Sequence, residues 1–172
     1  RIGLFQRGTH NVVSIPNCPL HHGAILRSYQ KVRQTMIDFQ ITPYDECKGV
    51  VRYLQFLVEK KSQTVQLSIV VNLSEPTNKL HAWIHRLYSL GGFHSIWLNF
   101  NIEKTNRIFG NNWLLCVGEM YLREKLGKIS CFIHPACFVQ AHLSLFEHAL
   151  SIICQEALPS KRICECYSGM GV

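Results

Sequence analysis

Ile163-Cys164-Glu165-Cys166-Tyr167-Ser168-Gly169-Met170-Gly171-Val172 is an apolar run, an acidic residue and a Gly-x-Gly. It follows an amphipathic pattern of helical period. Helix, strand and glycine loop in that order is how a nucleotide-type α/β domain begins. Glycine lets the backbone turn sharply after a strand and approach a ligand closely. An ordinary turn also contains a lone Gly-x-Gly. The stretch closes a sequence of 172 residues, so the expectation is a chain cut off as a catalytic domain starts. The missing initiator Met before Arg1 fits an excised fragment at that end too.

Upstream, residues 141–155 carry a helical stripe of Leu145, Phe146, Ala149, Leu150 and Ile153, expected to be buried. Ser144, Glu147, Ser151 and Gln155 fall on the other side. Residues 161–167 are expected to form the strand that enters the glycine loop. Before Pro135-Ala136 the grammar differs. Residues 2–6 and 11–15 suggest two short strands. Residues 24–40 read as a helix, with Ile25, Tyr29, Val32, Met36 and Phe39 on one face. Residues 50–58 and 64–71 suggest a hairpin, and Val65, Leu67, Ile69 and Val71 alternate with Gln66 and Ser68. A second helix is expected over 79–90, ended by Gly91-Gly92. Strands follow at 93–101, 112–117, 121–126 and 130–134. Residues 108–113 look like a hairpin tip, since Gly110-Asn111-Asn112 could supply positive φ. The expected architecture is α+β with a mainly antiparallel sheet over residues 1–136, then the first helix and strand of an α/β domain over 137–172.

Composition narrows the classes. Apolar residues make up 47% and aromatics 10%, enough for a real core and unlike a disordered chain. No apolar run approaches the roughly 20 residues needed to span a bilayer, so no membrane partner is expected. Nothing at the N-terminus resembles a signal peptide. The net charge of +7 suits a polyanionic partner, although the Lys and Arg residues are scattered as on ordinary solvated faces. The eight cysteines contain no Cys-x-x-Cys pair, and most sit in apolar runs. Core thiols in a reducing compartment explain them.

Three motifs carry candidate chemistry. Phe138-Val139-Gln140-Ala141-His142 pairs an aromatic with an amide, which suits a nucleobase: the ring stacks and the amide meets a base edge. A helix start with a core Phe is the alternative. Cys18, His21 and His22 could be read as a metal cluster, but adjacent histidines diverge. His81 and His85 lie one helical turn apart, which fits zinc or two surface histidines. There is no defensible Ser-His-Asp order, carboxylate pair or P-loop.

Four segments, in order along the chain, resemble the S-adenosylmethionine-dependent RNA uracil-C5 methyltransferases. Gly3-Leu4-Phe5-Gln6-Arg7-Gly8 through Val13-Ser14-Ile15-Pro16-Asn17-Cys18-Pro19 is similar to that family's G-F-x-x-x-G…V-D-I-x-x-C-P-I. Ser95-Ile96-Trp97-Leu98-Asn99-Phe100-Asn101, followed by Gly110, resembles its S-I-x-x-N-x-N…G strand. Pro135-Ala136-Cys137-Phe138-Val139-Gln140-Ala141-His142 resembles P-x-S-F-x-Q-x-N. Glu165-Cys166-Tyr167-Ser168-Gly169-Met170-Gly171 resembles its D/E-L-Y-x-G-x-G cofactor motif.

The resemblance implies a central α+β RNA-binding-type domain (1–136) and the start of a Rossmann-like methyltransferase domain (137–172). It implies an enzyme that methylates C5 of a uridine in rRNA or tRNA. Phe138 would lie near the flipped uracil, and Gln140 would contact base or cofactor. Glu165, Tyr167, Gly169 and Gly171 would line the S-adenosylmethionine pocket. Cys18 matches the last of four cysteines that hold a 4Fe–4S cluster in cluster-bearing members, and one thiolate alone cannot hold it. Cys137, His142 and Cys166 depart from the family's Ser, Asn and Leu. In the family mechanism a Cys thiolate adds to uracil C6, C5 takes the methyl group and a base removes the C5 proton. Both groups lie beyond Val172 in that family, so neither role falls on a residue here, and the chain alone is expected to be inactive. A monomer in bacterial cytoplasm or a plastid is the corresponding expectation. The alternative is a non-catalytic RNA-binding or structural module with the same fold.

Overall fold

The computed structural model describes residues 2–9, 11–45, 48–157, 161–164 and 166. It opens with β1 (Gly3–Phe5) and β2 (Val12–Ser14), an antiparallel hairpin shorter than the pattern suggested. Helix α1 (Gly23–Asp38) starts where the His22 Nδ1 accepts the Ala24 N–H at 3.2 Å, satisfying one of the donors a helix start leaves open. It ends through the Ile41 N–H, which reaches back to the Met36 carbonyl at 2.8 Å over a left-handed Gln40.

β3 (Val51–Val58) and β4 (Val65–Val71) form the expected hairpin. Helix α2 (Asn78–Ser89) is capped by the Thr77 hydroxyl, which accepts the Leu80 N–H at 3.2 Å. It stops at Gly91 and Gly92, both at positive φ. Its last carbonyls are covered from α1: the Lys31 ammonium donates to the Leu90 and Gly91 oxygens at 3.0 and 2.8 Å. A cation there also complements the negative end of the helix dipole. β5 (Phe93–Phe100) then runs parallel to β4, and β6 (Asn112–Gly118) runs antiparallel to β5.

The sheet order is β3-β4-β5-β6, mixed but mainly antiparallel. Both helices lie on one face, where Val65, Leu67, Ile69, Val71, Ile96 and Leu98 meet Val32, Met36, Leu80, Trp83, Ile84 and Leu87. Trp83 is wholly buried and its indole N–H donates to the Thr35 hydroxyl at 2.9 Å, joining the two helices. The buried face of α1 thus includes Ser28 and Thr35 besides its apolar residues. β4 is buried along its whole length, so Gln66 and Ser68 of the alternating pattern are inside as well. Alternation reported which face each residue takes, not whether the second face is wet.

The chain divides into two compact units, Arg1–Met120 and Tyr121–Val172. The division falls ahead of Cys137. The second unit holds the hairpin β7 (Leu122–Leu126) and β8 (Ile129–Ile133), then α3 (Leu143–Ala157).

Three expectations need correction. Residues 108–113 are not a tight hairpin tip: β5 ends at Phe100 and β6 begins at Asn112, with a long loop between them. Gly110 has no positive φ; it is needed because a Cβ there would fall on the Phe100 carbonyl oxygen. The stripe of α3 is not buried: no residue of the helix is, and Leu145 and Ile153 are 63% and 60% exposed. A stripe encodes a face suited to covering, and this one is covered only in part: Phe146 and Leu150 are half-buried while Leu145, Ala149 and Ile153 are exposed. Residues 161–164 form no strand and are exposed. A strand needs a ladder partner for its N–H and C=O groups, and no described residue pairs with these. The rest of that expected strand and its glycine loop lie outside the described residues. Among the described residues, no helix is long and apolar enough to cross a membrane.

Candidate nucleobase site

The segment between β8 and α3 presents Phe138 and Gln140 to solvent. Two imidazoles fix its ends. At the first, the His134 Nδ1 accepts the Ala136 N–H at 3.1 Å and the His134 carbonyl accepts the Cys137 N–H at 2.9 Å. Pro135 is buried between them. The His134 ring meets the Tyr121 ring edge-on, with centroids 6.4 Å apart. Burial holds the His134 pKa below its ordinary value. That favours the neutral ring, the only form with a nitrogen free to accept. At the second end, the His142 Nδ1 accepts the Leu145 N–H at 3.1 Å and its carbonyl accepts the Phe146 N–H at 3.0 Å. His142 therefore does an N-cap's work for α3, the work an Asn at that position does well. The departure from the Asn-containing motif keeps the local geometry.

Between these anchors Phe138 is 78% exposed. Leaving a phenyl ring in water forgoes about 1.5–3 kcal/mol of burial. The core-Phe alternative is therefore not what the structure adopts. Gln140, two residues on, is exposed too. An open ring and an open amide on one short loop supply a stacking surface and a base-edge hydrogen-bonding group.

The other candidates fare differently. Glu165, Tyr167, Gly169 and Gly171 lie outside the described residues. Cys18 is a half-buried free thiol in a turn where its carbonyl accepts the His21 N–H at 3.1 Å. No group of three His, Cys, Asp or Glu side chains among the described residues could hold a metal ion. A cluster needing four thiolates does not fit the described residues. His22 is spent as the α1 cap. On α2, His85 is exposed and His81 half-buried. Cys116, on β6, is an unreactive thiol, its pKa pushed up to about 11 by burial.

The first unit contains a polar device whose role the motif S-I-x-x-N-x-N did not reveal. Asn99 and Asn101 are buried. The Asn99 amide donates to the Gly110 and Asn112 carbonyls at 3.0 and 3.1 Å, and its oxygen accepts the Gly110 N–H at 2.7 Å. The Asn101 amide donates to the Arg107 and Ile108 carbonyls at 2.8 and 3.0 Å and accepts the Glu103 N–H at 3.0 Å. Arg52 adds a third clamp, donating to the Asn101 and Glu103 carbonyls at 2.7 and 2.8 Å. The two asparagines and Gly110 thus shape the loop over 101–111. The spacing N-x-N was a usable signal, because residues two apart on a strand share a face.

A relative from Protochlamydia amoebophila, described as an uncharacterized RNA methyltransferase, is 35% identical over 181 residues, which take in 99% of this chain and 47% of that protein. Over nearly its whole length the chain is similar to these RNA methyltransferases. An uncharacterized RNA methyltransferase from Nostoc is 29% identical over 156 residues, 88% of this chain and 33% of its own length. The chain spans less than half the length of these curated relatives. No family model matches. Among solved structures, the Pyrococcus abyssi tRNA (uracil-54, C5)-methyltransferase in complex with S-adenosyl-L-homocysteine superposes with a TM-score of 0.71 at 17% identity. The match covers 88% of this chain and 36% of that one, a likeness of fold.

Proposed function

We propose that this chain belongs to an RNA uracil-C5 methyltransferase, which moves a methyl group from S-adenosylmethionine to C5 of a uridine in rRNA or tRNA. The observation that carries the reading is the loop between His134 and His142, which exposes Phe138 and Gln140 in a chain similar to RNA methyltransferases. The fold likeness to a uracil-C5 enzyme supports it. Residues 1–136 serve as the RNA-binding-type domain, and residues 137–172 begin the Rossmann-like catalytic domain.

Carbon 5 of a paired uracil is out of reach inside a helix, so the base must be unstacked and held. Phe138 offers the face that replaces the lost stacking. Gln140 can donate to a uracil carbonyl and accept from its N3–H, which orients the ring. On this reading Gln140, Glu165, Tyr167, Gly169 and Gly171 line the methyl-donor pocket. The donor supplies an activated methyl group on a sulfonium. The His134 and His142 rings act at a distance from the chemistry by fixing both ends of the loop.

The test uses a polypeptide that contains this chain and spans the length of its relatives, incubated with 5-fluorouridine RNA and S-adenosylmethionine. Fluorine cannot leave C5 as a proton does, so a covalent protein–RNA adduct that survives denaturation is expected. Phe138→Leu should reduce adduct yield at least tenfold. RNA that binds but yields no adduct would overturn the uracil-C5 assignment and favour a non-catalytic RNA-binding module.

A further inference from the structure

The β7–β8 hairpin shows an asymmetry that its fold does not require. Leu122, Glu124 and Leu126 of β7 point inward and are buried, while Arg123 and Lys125 point out. Across the register Arg123 stands opposite Phe132 and Lys125 opposite Ser130. Phe132 is 59% exposed although its strand neighbours Cys131 and Ile133 are buried. The Arg123 guanidinium sits over its ring, 5.8 Å from the centroid. Lys128 in the connecting turn is exposed as well. Glu124, the only carboxylate of the hairpin, faces the buried side. The outer face is therefore purely basic and carries an open aromatic ring. The hairpin tip is tied to the helix beyond the Phe138 loop, because the Glu147 carboxylate of α3 accepts the Gly127 N–H at 2.8 Å.

We propose that this outer face seats a single-stranded stretch of the RNA substrate, flanking the uridine held at Phe138. It rests on the uridine-RNA reading above and names a second contact surface for that substrate. Phe132 stacks one base, and Arg123 also lies against that ring. Arg123 and Lys125, about 7 Å apart along the strand, neutralise phosphates; the Arg fork suits two phosphate oxygens at once. A groove or face that combines basic side chains with an aromatic platform is how proteins hold single strands without reading sequence. An A-form duplex hides its base faces, so Phe132 would have nothing to stack on there. The RNA bound here is therefore single-stranded, and the contact is tolerant of sequence.

The experiment is fluorescence anisotropy on this chain with a fluorescein-labelled oligouridylate of about twelve nucleotides, alone and as a duplex, over a salt series. Phe132→Leu should weaken single-strand binding by about 5- to 100-fold, the loss expected for one base stack. Phe132→Tyr, which keeps a stacking face, should bind within about twofold of the parent. Arg123→Gln with Lys125→Gln should lower the slope of log K against log salt by about 1.4, at roughly 0.7 per phosphate contact for a single strand. All three side chains are exposed, and unchanged melting temperatures confirm that the variants remain folded. Phe132→Leu binding like the parent, a duplex bound as well as the single strand, or no RNA binding at all would each overturn the proposal. RNA-independent self-association that Phe132→Leu abolishes would do so too, giving the face to a second copy. Phe138→Leu measured in parallel separates the two claims. Weakening there but not at Phe132 sinks the hairpin face alone. The expected anisotropy results, with no 5-fluorouridine adduct in the longer protein, sink the methyl-transfer reading alone.

Discussion

Asn99→Asp changes one group and almost no volume. The amide nitrogen that donates to the Gly110 and Asn112 carbonyls becomes an oxygen, while the oxygen that accepts the Gly110 N–H remains. Two hydrogen bonds worth about 1 kcal/mol each are lost. Two carbonyl oxygens would then face a carboxylate at a side chain with no solvent exposure. Desolvation and repulsion add about 1–3 kcal/mol. The total, about 3–5 kcal/mol, is a large part of the 5–15 kcal/mol that holds a typical domain. A proton on the carboxyl would restore one donor, so folding raises this pKa above its unfolded value of about 4. The unfolded chain therefore ionises first. The penalty is smallest below the unfolded pKa, grows as pH rises towards the folded pKa and is complete above it. Urea unfolding followed by circular dichroism, with the parent measured at each pH, should show a loss of about 3–5 kcal/mol at pH 7.5 and a smaller one at pH 5. Asn99→Ala should lose about 2–3 kcal/mol at both values. An Asp variant as stable as the parent at pH 7.5, or equally destabilised at both, would refute the clamp.

The imidazoles give two further outcomes. Burial lowers the His134 pKa from its usual 6.5, so the unfolded chain binds the proton more readily. The stabilisation from this group is complete above the unfolded pKa and is lost as pH falls through the folded one. An NMR titration should place the His134 midpoint below 6.5, with the Ala136 amide shifting in step, and a midpoint above that value would contradict the account. For His142, replacement by Ala should weaken α3 by about 1 kcal/mol, as loss of an N-cap does, while replacement by Asn should cost almost nothing. Amide hydrogen exchange at Leu145 reads the difference; equal protection in both variants would remove the capping role.

Helices α1 and α2 and the β3–β4 hairpin were legible because each has a strong period, and Gly91-Gly92 marks where α2 ends; the caps by His22 and Thr77 appeared only in the structure. Other features depend on partners that periodicity does not describe. The stripe of α3 is written as clearly as that of α1, yet none of it is fully buried, because burial belongs to the pair of surfaces and not to one helix. Gly110 suggested a tight turn, whereas its cause is a close approach to the Phe100 carbonyl. Arg52 looked like one of many scattered charges and instead holds two loop carbonyls. Phe138 and Gln140 were legible as residue types suited to a base. Their exposure, which turns suitability into a surface, was not. The family resemblance, which individual motifs carry weakly, drew its strength from their order along the chain.

Buried Asn99 near the end of β5, and Asn101 just beyond it, also bear on how the sheet finds its pairing. A strand rich in apolar residues can slide against its neighbours at little cost, and a slip of one position sends every side chain to the opposite face. For β5 such a slip would carry Asn99 in among the side chains of Trp83 and Leu87, leaving a buried amide unpaired at about 1–3 kcal/mol. Leu98 would take its place, with nothing to offer the Gly110 and Asn112 backbone. The same shift would misplace Asn101. The two amides therefore act as alignment marks: they add modestly to the depth of the correct arrangement and more to the cost of its nearest competitors.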